Sequence, residues 1–225
     1  MATRQFNIFV EGTDDHDLVL VLVKQLRITA PHPIIKATRE GQKVTTYLLI
    51  VGSDDVVVIS SIGGWEQLGK DQAFLIKLAR DNNGKTLIVF DADAKPTKRD
   101  QELRQRVAAY DLNPAIFLLP GLNQSGELET LLLQLVQPRH QAVMTCYDGY
   151  EQCLQGLSTS GQPYYNTPSK KRRLYDYVNV MPLVGEDWDR HHKKGGQKLF
   201  ENADLWNLHA PAVQPLRDFL NEHIK

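Results

Sequence analysis

Cysteine is scarce in this chain of 225 residues, which holds only Cys146 and Cys153. Their separation of seven fits neither a zinc-ligand pair nor a redox pair, and so few thiols suit a reducing compartment. Long apolar runs are missing as well. Stretches such as Leu48 to Val51 and Leu87 to Phe90 fall far short of the roughly 18 residues that a membrane-crossing helix needs, so no membrane role is expected. Neither sign of charge dominates: 26 Lys and Arg face 27 Asp and Glu, for a net charge of -1. That balance excludes a polycation held to nucleic acid by bulk charge, but it leaves room for a local basic face. The start of the chain lacks the basic, apolar, small-residue order of an export signal, because Glu11, Asp14, Asp15 and Asp17 follow the first apolar run, and a cytoplasmic protein is expected. There is no internal repeat and no low-complexity tract. What remains, 42% hydrophobic and 24% charged, is globular in composition and long enough for one full domain with a smaller second one or an insertion.

The hydrophobic pattern alternates. Phe6 to Val10 reads as a buried strand that runs into the acidic turn Glu11-Gly12-Thr13-Asp14-Asp15. Thr13 or Asp14 can cap the next helix, in which Leu18, Val19, Leu22, Val23 and Leu26 recur at helical spacing through Arg27. Pro31 and Pro33 break the chain, and Thr45 to Val51 with Val56 to Ile59 reads as a hairpin turning at Gly52-Ser53-Asp54-Asp55. Phe74, Leu75, Leu78 and Ala79 give a helix that closes near Asn82-Asn83-Gly84. Thr86 to Phe90 is a continuous β-branched and aromatic run of the kind buried on both faces of a parallel sheet, and it ends at Asp91-Ala92-Asp93. A helix carrying Leu103, Arg104, Val107, Ala108 and Tyr110, a strand from Ala115 to Leu119 and a turn from Pro120 to Gly126 follow. Beyond residue 127 strands stop and helices take over at Leu128 to Val136 and Gln141 to Leu154, with a polar stretch from Gly156 to Pro168. A last helix, Ala212 to His223, presents Leu216, Phe219, Leu220 and Ile224 to the domain.

The expected fold class is therefore α/β: a mostly parallel sheet flanked by helices, with a helical C-terminal extension. Residues 1–135 form the core, and residues 136–225 form the extension, whose basic and aromatic segment packs on that core. Ligands of such sheets sit beyond the carboxyl ends of the strands. The acids fall there: Glu11 and Asp15 after the first strand, Asp91 and Asp93 after a central one, Glu127 and Glu129 after the strand at Ala115 to Leu119. Converging carboxylates repel unless a cation neutralises them. Hard divalent ions do so while keeping several waters, and two of them can stabilise both oxygens of a phosphoryl displacement.

Glu11-Gly12 after an apolar strand and Asp91-Ala92-Asp93 after Leu87-Ile88-Val89-Phe90 resemble the acidic signature of the Toprim domain of topoisomerases, primases and recombination proteins. Glu11 to Asp15 also resembles the ExxxD form of the overcoming-lysogenization-defect nucleases, whose later glutamate often follows a glycine, as in Gly126-Glu127-Leu128-Glu129. Phe117-Leu118-Leu119-Pro120 through Glu129 is similar to small stand-alone bacterial Toprim-related proteins. The likeness covers residues 6 to 135. It implies a Mg²⁺- or Mn²⁺-dependent nuclease-like phosphodiester hydrolase. Glu11, Asp91 and Asp93 would be catalytic, and Glu11, Asp15, Asp91, Asp93 and Glu129 would hold the metal. Some proteins of this general type are toxic effectors in bacterial anti-phage defence. No ATPase module, topoisomerase tyrosine context or primase zinc region accompanies the core.

Simpler readings stand beside these. Asp91 could instead be the nucleophile of a haloacid-dehalogenase-like phosphatase, although Lys95 departs from that pattern. The acids at 127 and 129 suit a helix start, Asp14 suits a cap, and Asp54 and Asp55 suit a turn. Residues 165–200 hold eight basic and four acidic side chains, net +4, with Tyr164, Tyr165, Tyr175, Tyr177 and Trp188 in or beside them. Such interleaving suits phosphates and unpaired bases, with Lys170, Lys171, Arg172, Arg173, Lys193 and Lys194 as substrate contacts, or else a solvated helix face. One of Lys95, Lys98, Arg99 and Arg104 can neutralise a phosphoryl oxygen. His191-His192 reads as a loop pair without a metal partner. The expected partner is nucleic acid, DNA or RNA. The alternative is a silent or partner-dependent Toprim-like binding or assembly module, working with a protein such as a separately encoded ATPase.

Overall fold

The computed structural model describes residues 4–26, 34–40, 43–50, 53–109, 113–159, 162–193 and 197–224. Arg27, Pro31, Pro33, Val51, Gly52, Tyr110 and Lys194, named above, lie outside the described residues. The strands are β1 (Gln5–Val10), β2 (Ile34–Glu40), β3 (Lys43–Leu49), β4 (Val56–Ser61), β5 (Thr86–Asp91), β6 (Ala115–Leu119), β7 (Ser158–Thr159) and β8 (Gln162–Pro163). The helices are α1 (Thr13–Gln25), α2 (Lys70–Asp81), α3 (Pro96–Ala108), α4 (Leu128–Leu135), α5 (Gln141–Gly156), α6 (Lys170–Asn179), α7 (Gly185–His192) and α8 (Gln214–His223).

Six strands form one sheet in the order β2-β3-β4-β1-β5-β6. β1 pairs in parallel with β4 and β5, and β5 with β6, while β2-β3-β4 is an antiparallel meander. The expected α/β class with a mostly parallel sheet and flanking helices is what the chain adopts. The expected hairpin is β3 with β4. The sequence reading missed β2: Lys36, Arg39 and Glu40 are exposed on it, and such charge suits an edge strand but hides its period.

Side chains alternate across the parallel strands, which explains their apolar continuity. Phe9, Ile88 and Phe90 pack with Ile76 of α2 and Leu103 and Val107 of α3. On β6, Phe117 stacks on Phe219 of α8 at 5.3 Å between ring centroids. One polar residue sits inside this core. Asn7, 1% exposed, donates from Nδ2 to the Leu75 carbonyl at 2.7 Å and so ties β1 to α2. The buried side of α2 is Leu75, Ile76 and Ala79, whereas Phe74, expected on the apolar face, is 68% exposed. The loop into β5 closes on β1, because a Cβ at Gly84 would stand 1.8 Å from the Gln5 carbonyl oxygen.

The chain divides into two compact units, residues 1–128 with 211–225, and residues 129–210. The expectation joined 136–225 into a single extension; the last helix instead belongs with the sheet. Val213, Leu216 and Leu220 are buried, and Arg217 donates from Nη1 to Gln25 Oε1 of α1 at 2.9 Å. The second unit has its own core around Tyr177, Trp206, Leu174 and Phe200. Tyr177 donates its hydroxyl to the Leu205 carbonyl at 2.7 Å, and the Trp206 indole donates to the Lys198 carbonyl at 2.6 Å. Strands do not stop at residue 127 as expected, because β7 and β8 form a small hairpin in this unit. Among the described residues no helix is long and apolar enough to cross a membrane.

Candidate functional site

Parallel pairing brings the carboxyl ends of β1, β4 and β5 to one edge of the sheet. Glu11 lies just beyond β1. Its carbonyl accepts the Gly63 N–H at 2.9 Å, so the ladder between β1 and the end of β4 holds it in place. Gly63 and Gly64 turn there with φ of 84° and 121°, a conformation that side-chain-bearing residues rarely adopt. Asp91 is the last residue of β5. Its N–H donates to Glu11 Oε2 at 3.4 Å, and its Oδ1 accepts the Leu128 N–H at 2.8 Å. Two of the predicted acids, Glu11 and Asp91, are thus joined through the Asp91 backbone. Burial pushes the Glu11 carboxyl above the usual carboxylate range, and the charges of Asp93 and Glu66 push the same way. The Asp91 N–H and Arg99 oppose the rise.

Asp15 lies in the first turn of α1, buried at 6% exposure. Neither Thr13 nor Asp14 stands at the cap position, which is Gly12. Asp15 instead reaches back so that its Oδ2 accepts the Gly12 N–H at 2.9 Å. Its buried Oδ1 has no hydrogen-bond partner among the described residues. Burial pushes its pKa up to about 7, aided by the charges of Glu11 and Asp14 against the Gly12 N–H.

Asp93 follows a different course. Its backbone is left-handed, at φ 51°, and its carbonyl accepts the Gly126 N–H at 2.7 Å. Its carboxylate is ion-paired with Arg99. Arg99 lies 4.5 Å over the Trp65 ring, and Arg106 flanks the same ring at 5.5 Å while donating to the Leu68 carbonyl at 2.6 Å. Ala92, Asp93, Lys95, Lys98 and Arg99 line a cavity of about 190 Å³. A larger cavity, about 450 Å³, lies away from the acids at the amino ends of β5 and β6, beside Lys85 and His223. Trp65 and Glu66 are the residues that the sequence reading passed over. Their signal was Gly63-Gly64 after a strand that ends at the same edge.

Glu129 occupies the first turn of α4 and is counted with the second unit. Among the described residues no three His, Cys, Asp or Glu side chains gather closely enough to hold one metal ion. A Mg²⁺ ion bound through one or two carboxylates and otherwise by water does not require three. The carboxylates of Glu11 and Asp91 are the two such donors at this edge, where the Asp91 N–H engages Glu11 Oε2 and the Leu128 N–H engages Asp91 Oδ1.

Within the second unit the predicted basic contacts are mostly engaged. Lys170 donates to Thr130 Oγ1 at 2.9 Å, and Arg172 pairs with Asp176 at 2.8 Å. Arg173, 16% exposed, braces α6 to Asp148 of α5 at 2.6 Å. Lys193 pairs with Asp189 at 2.9 Å and lies over Trp188, while Lys171 is exposed. Tyr164, Tyr165 and Trp188 are exposed, whereas Tyr177 is core. His191 and His192 end α7 and form no loop; His191 is buried with Nδ1 at 3.0 Å from the Gln197 carbonyl oxygen. Asp55 is more than a turn residue, since it is buried and its Oδ1 accepts the Arg4 N–H at 3.0 Å.

Among curated proteins none matches the chain. The family model described as "Protein of unknown function (DUF3226)" matches residues 5–225, nearly the full length, and the chain belongs to that family.

Proposed function

We propose that the protein is a Mg²⁺- or Mn²⁺-dependent phosphodiester hydrolase of Toprim type that acts on nucleic acid. The observation that carries this reading is the half-buried Glu11 carboxylate, which accepts the backbone N–H of Asp91 at the carboxyl edge of a parallel sheet. Negative charge packed where solvation is poor is stabilised by a cation. Glu11 and Asp91 would hold the ion, with Asp15 behind them. When bound, it would neutralise charge on the phosphoryl group and lower the pKa of a coordinated water. Glu11 would serve there as metal ligand or as general acid/base. Lys95 and Lys98 contribute positive charge beside the acids. Taken by itself, the second unit exposes Tyr164, Tyr165 and Trp188, aromatic faces of the kind on which unpaired bases stack.

The test is a panel of single- and double-stranded DNA, RNA and tRNA incubated with Mg²⁺, with Mn²⁺ and with EDTA. Cutting is expected with metal and not with EDTA, and Glu11→Gln and Asp91→Asn should each lower it by about 100-fold or more. Equal cutting by both variants would overturn the assignment.

A second reading is a partner-dependent binding module. It is favoured by the lack, among the described residues, of three donors gathered for one ion. It predicts cation binding without turnover, and metal-dependent cleavage by the isolated chain would exclude it.

A further inference from the structure

Arg99 projects from the second turn of α3 with its side chain 11% exposed. A guanidinium carries five N–H donors in a planar fork. One nitrogen, Nη2, donates to Asp93 Oδ2. Nη1 lies 3.8 Å from Glu102 Oε2, beyond hydrogen-bond reach, and both Nη1 and Nε are buried without a hydrogen-bond partner among the described residues. Buried donors left without acceptors are costly, and a fork with one tine engaged is an incomplete recognition element. The guanidinium carbon of Arg99 lies 4.5 Å from the centre of the Trp65 ring, a cation–π contact. Lys95 and Lys98 line the same cavity with Asp93 and Glu102, and Lys98 pairs with Glu102 at 3.2 Å, so three cationic side chains face two carboxylates and the lining keeps an excess of positive charge. A phosphate group, with several oxygens in reach of a planar fork, answers that excess better than a single carboxylate oxygen.

We propose that Arg99, with Lys95 and Lys98, forms the phosphate subsite of this protein, and that Asp93 occupies it in the substrate-free state as an internal stand-in for phosphate. The Asp93 backbone supports this. Its left-handed conformation and the Gly126 N–H on its carbonyl fix the origin of the side chain, so that exchange needs only side-chain rotation. Phosphate displaces the Asp93 carboxylate from Arg99. The freed carboxylate lies two residues beyond Asp91, at the edge of the sheet that holds Glu11. That the phosphate belongs to a nucleic-acid backbone rests on the hydrolase reading above; the exchange itself does not.

The test measures binding in EDTA, where metal-dependent turnover is absent. Inorganic phosphate and a short single-stranded DNA are titrated by calorimetry into the full chain, Asp93→Asn, Arg99→Ala and the double variant. Asp93→Asn should bind about fivefold more tightly, because a competing ion pair is removed. Asparagine tolerates the left-handed backbone, so this variant is expected to fold. Arg99→Ala should lose most binding, and the double variant should show no gain. Arg99→Lys keeps the charge without the fork; if the alanine variant does not fold, a gain from Asp93→Asn that vanishes in the lysine background supports the same conclusion. A gain for inorganic phosphate alone assigns the subsite to a free phosphate, and a gain for the oligonucleotide alone assigns it to a backbone diester. Unchanged binding by Asp93→Asn, or a gain that survives loss of the Arg99 fork, overturns the proposal. If this pattern holds while the nucleic-acid panel shows no cutting, the subsite stands and the hydrolase reading falls.

Discussion

Asp15 makes the sharpest demand on solution behaviour of any single residue. Its pKa of about 7 in the folded protein exceeds its ordinary 3.8, so between those values the folded chain holds a proton that the unfolded chain has released. Stability then falls as pH rises through that window and levels off above it. Replacing Asp15 by Asn keeps an oxygen for the Gly12 N–H and removes the ionisation. In EDTA, thermal unfolding from pH 4 to pH 8 should show the parent losing stability relative to Asp15→Asn as pH rises, with the two curves parallel above about pH 7. Parallel curves throughout the window would exclude a raised pKa at this site. The order of Glu11, Asp15, Asp91 and Asp93 was legible because strand ends are easy to find in a parallel α/β rhythm. The Asp93–Arg99 pair was not, since a left-handed backbone at a non-glycine residue leaves no mark in hydrophobic pattern. Nor could spacing reveal that a Trp65 ring beyond β4 would support an arginine of α3.

Between elements, the junction of β1 with α2 depends on a buried polar contact. Asn7 is the one polar residue between Phe6 and Val10, and its amide is what reaches the Leu75 carbonyl. Asn7→Leu would leave that carbonyl and the neighbouring Gln5 amide, which donates to Asn7 Oδ1 at 2.7 Å, without this partner. A loss of about 1–3 kcal/mol in urea unfolding is expected. An unchanged midpoint and slope would mean that the contact contributes nothing. Buried strands such as β1 and β5 were legible because both faces are covered and their sequences are continuously apolar. The edge strand β2 was not, because its charged side chains face water and no apolar alternation survives. Helix faces were read less securely. In α2 the register of Phe74 against Ile76 is set by where the helix meets the sheet, which local spacing does not encode.

For the whole molecule, the first unit is built from two separated stretches of chain, 1–128 and 211–225. The hydrophobic face of α8 was legible, and so was its return to the sheet. The place where the sheet unit gives way to residues 129–210 was less so, because α4 carries apolar residues through the boundary without a linker-like break. Truncation after Ala210 keeps every strand of the main sheet but removes Val213, Leu216 and Leu220 from the core. Each buried aliphatic side chain stabilises by about 1.5–3 kcal/mol, so their joint loss rivals the stability of an ordinary domain. The truncated chain should be insoluble or should melt without a cooperative transition, and a soluble protein with an unchanged melting temperature would show α8 to be dispensable. The same layout sets a schedule for synthesis. A ribosome adds about 5–20 residues per second, and α8 is made only after the whole of residues 129–210. For those seconds Phe117 lacks its stacking partner on a nascent sheet whose strands are already complete. A chaperone that samples apolar surface on emerging chains would meet this protein in that interval, and slower codons within residues 129–210 would lengthen it.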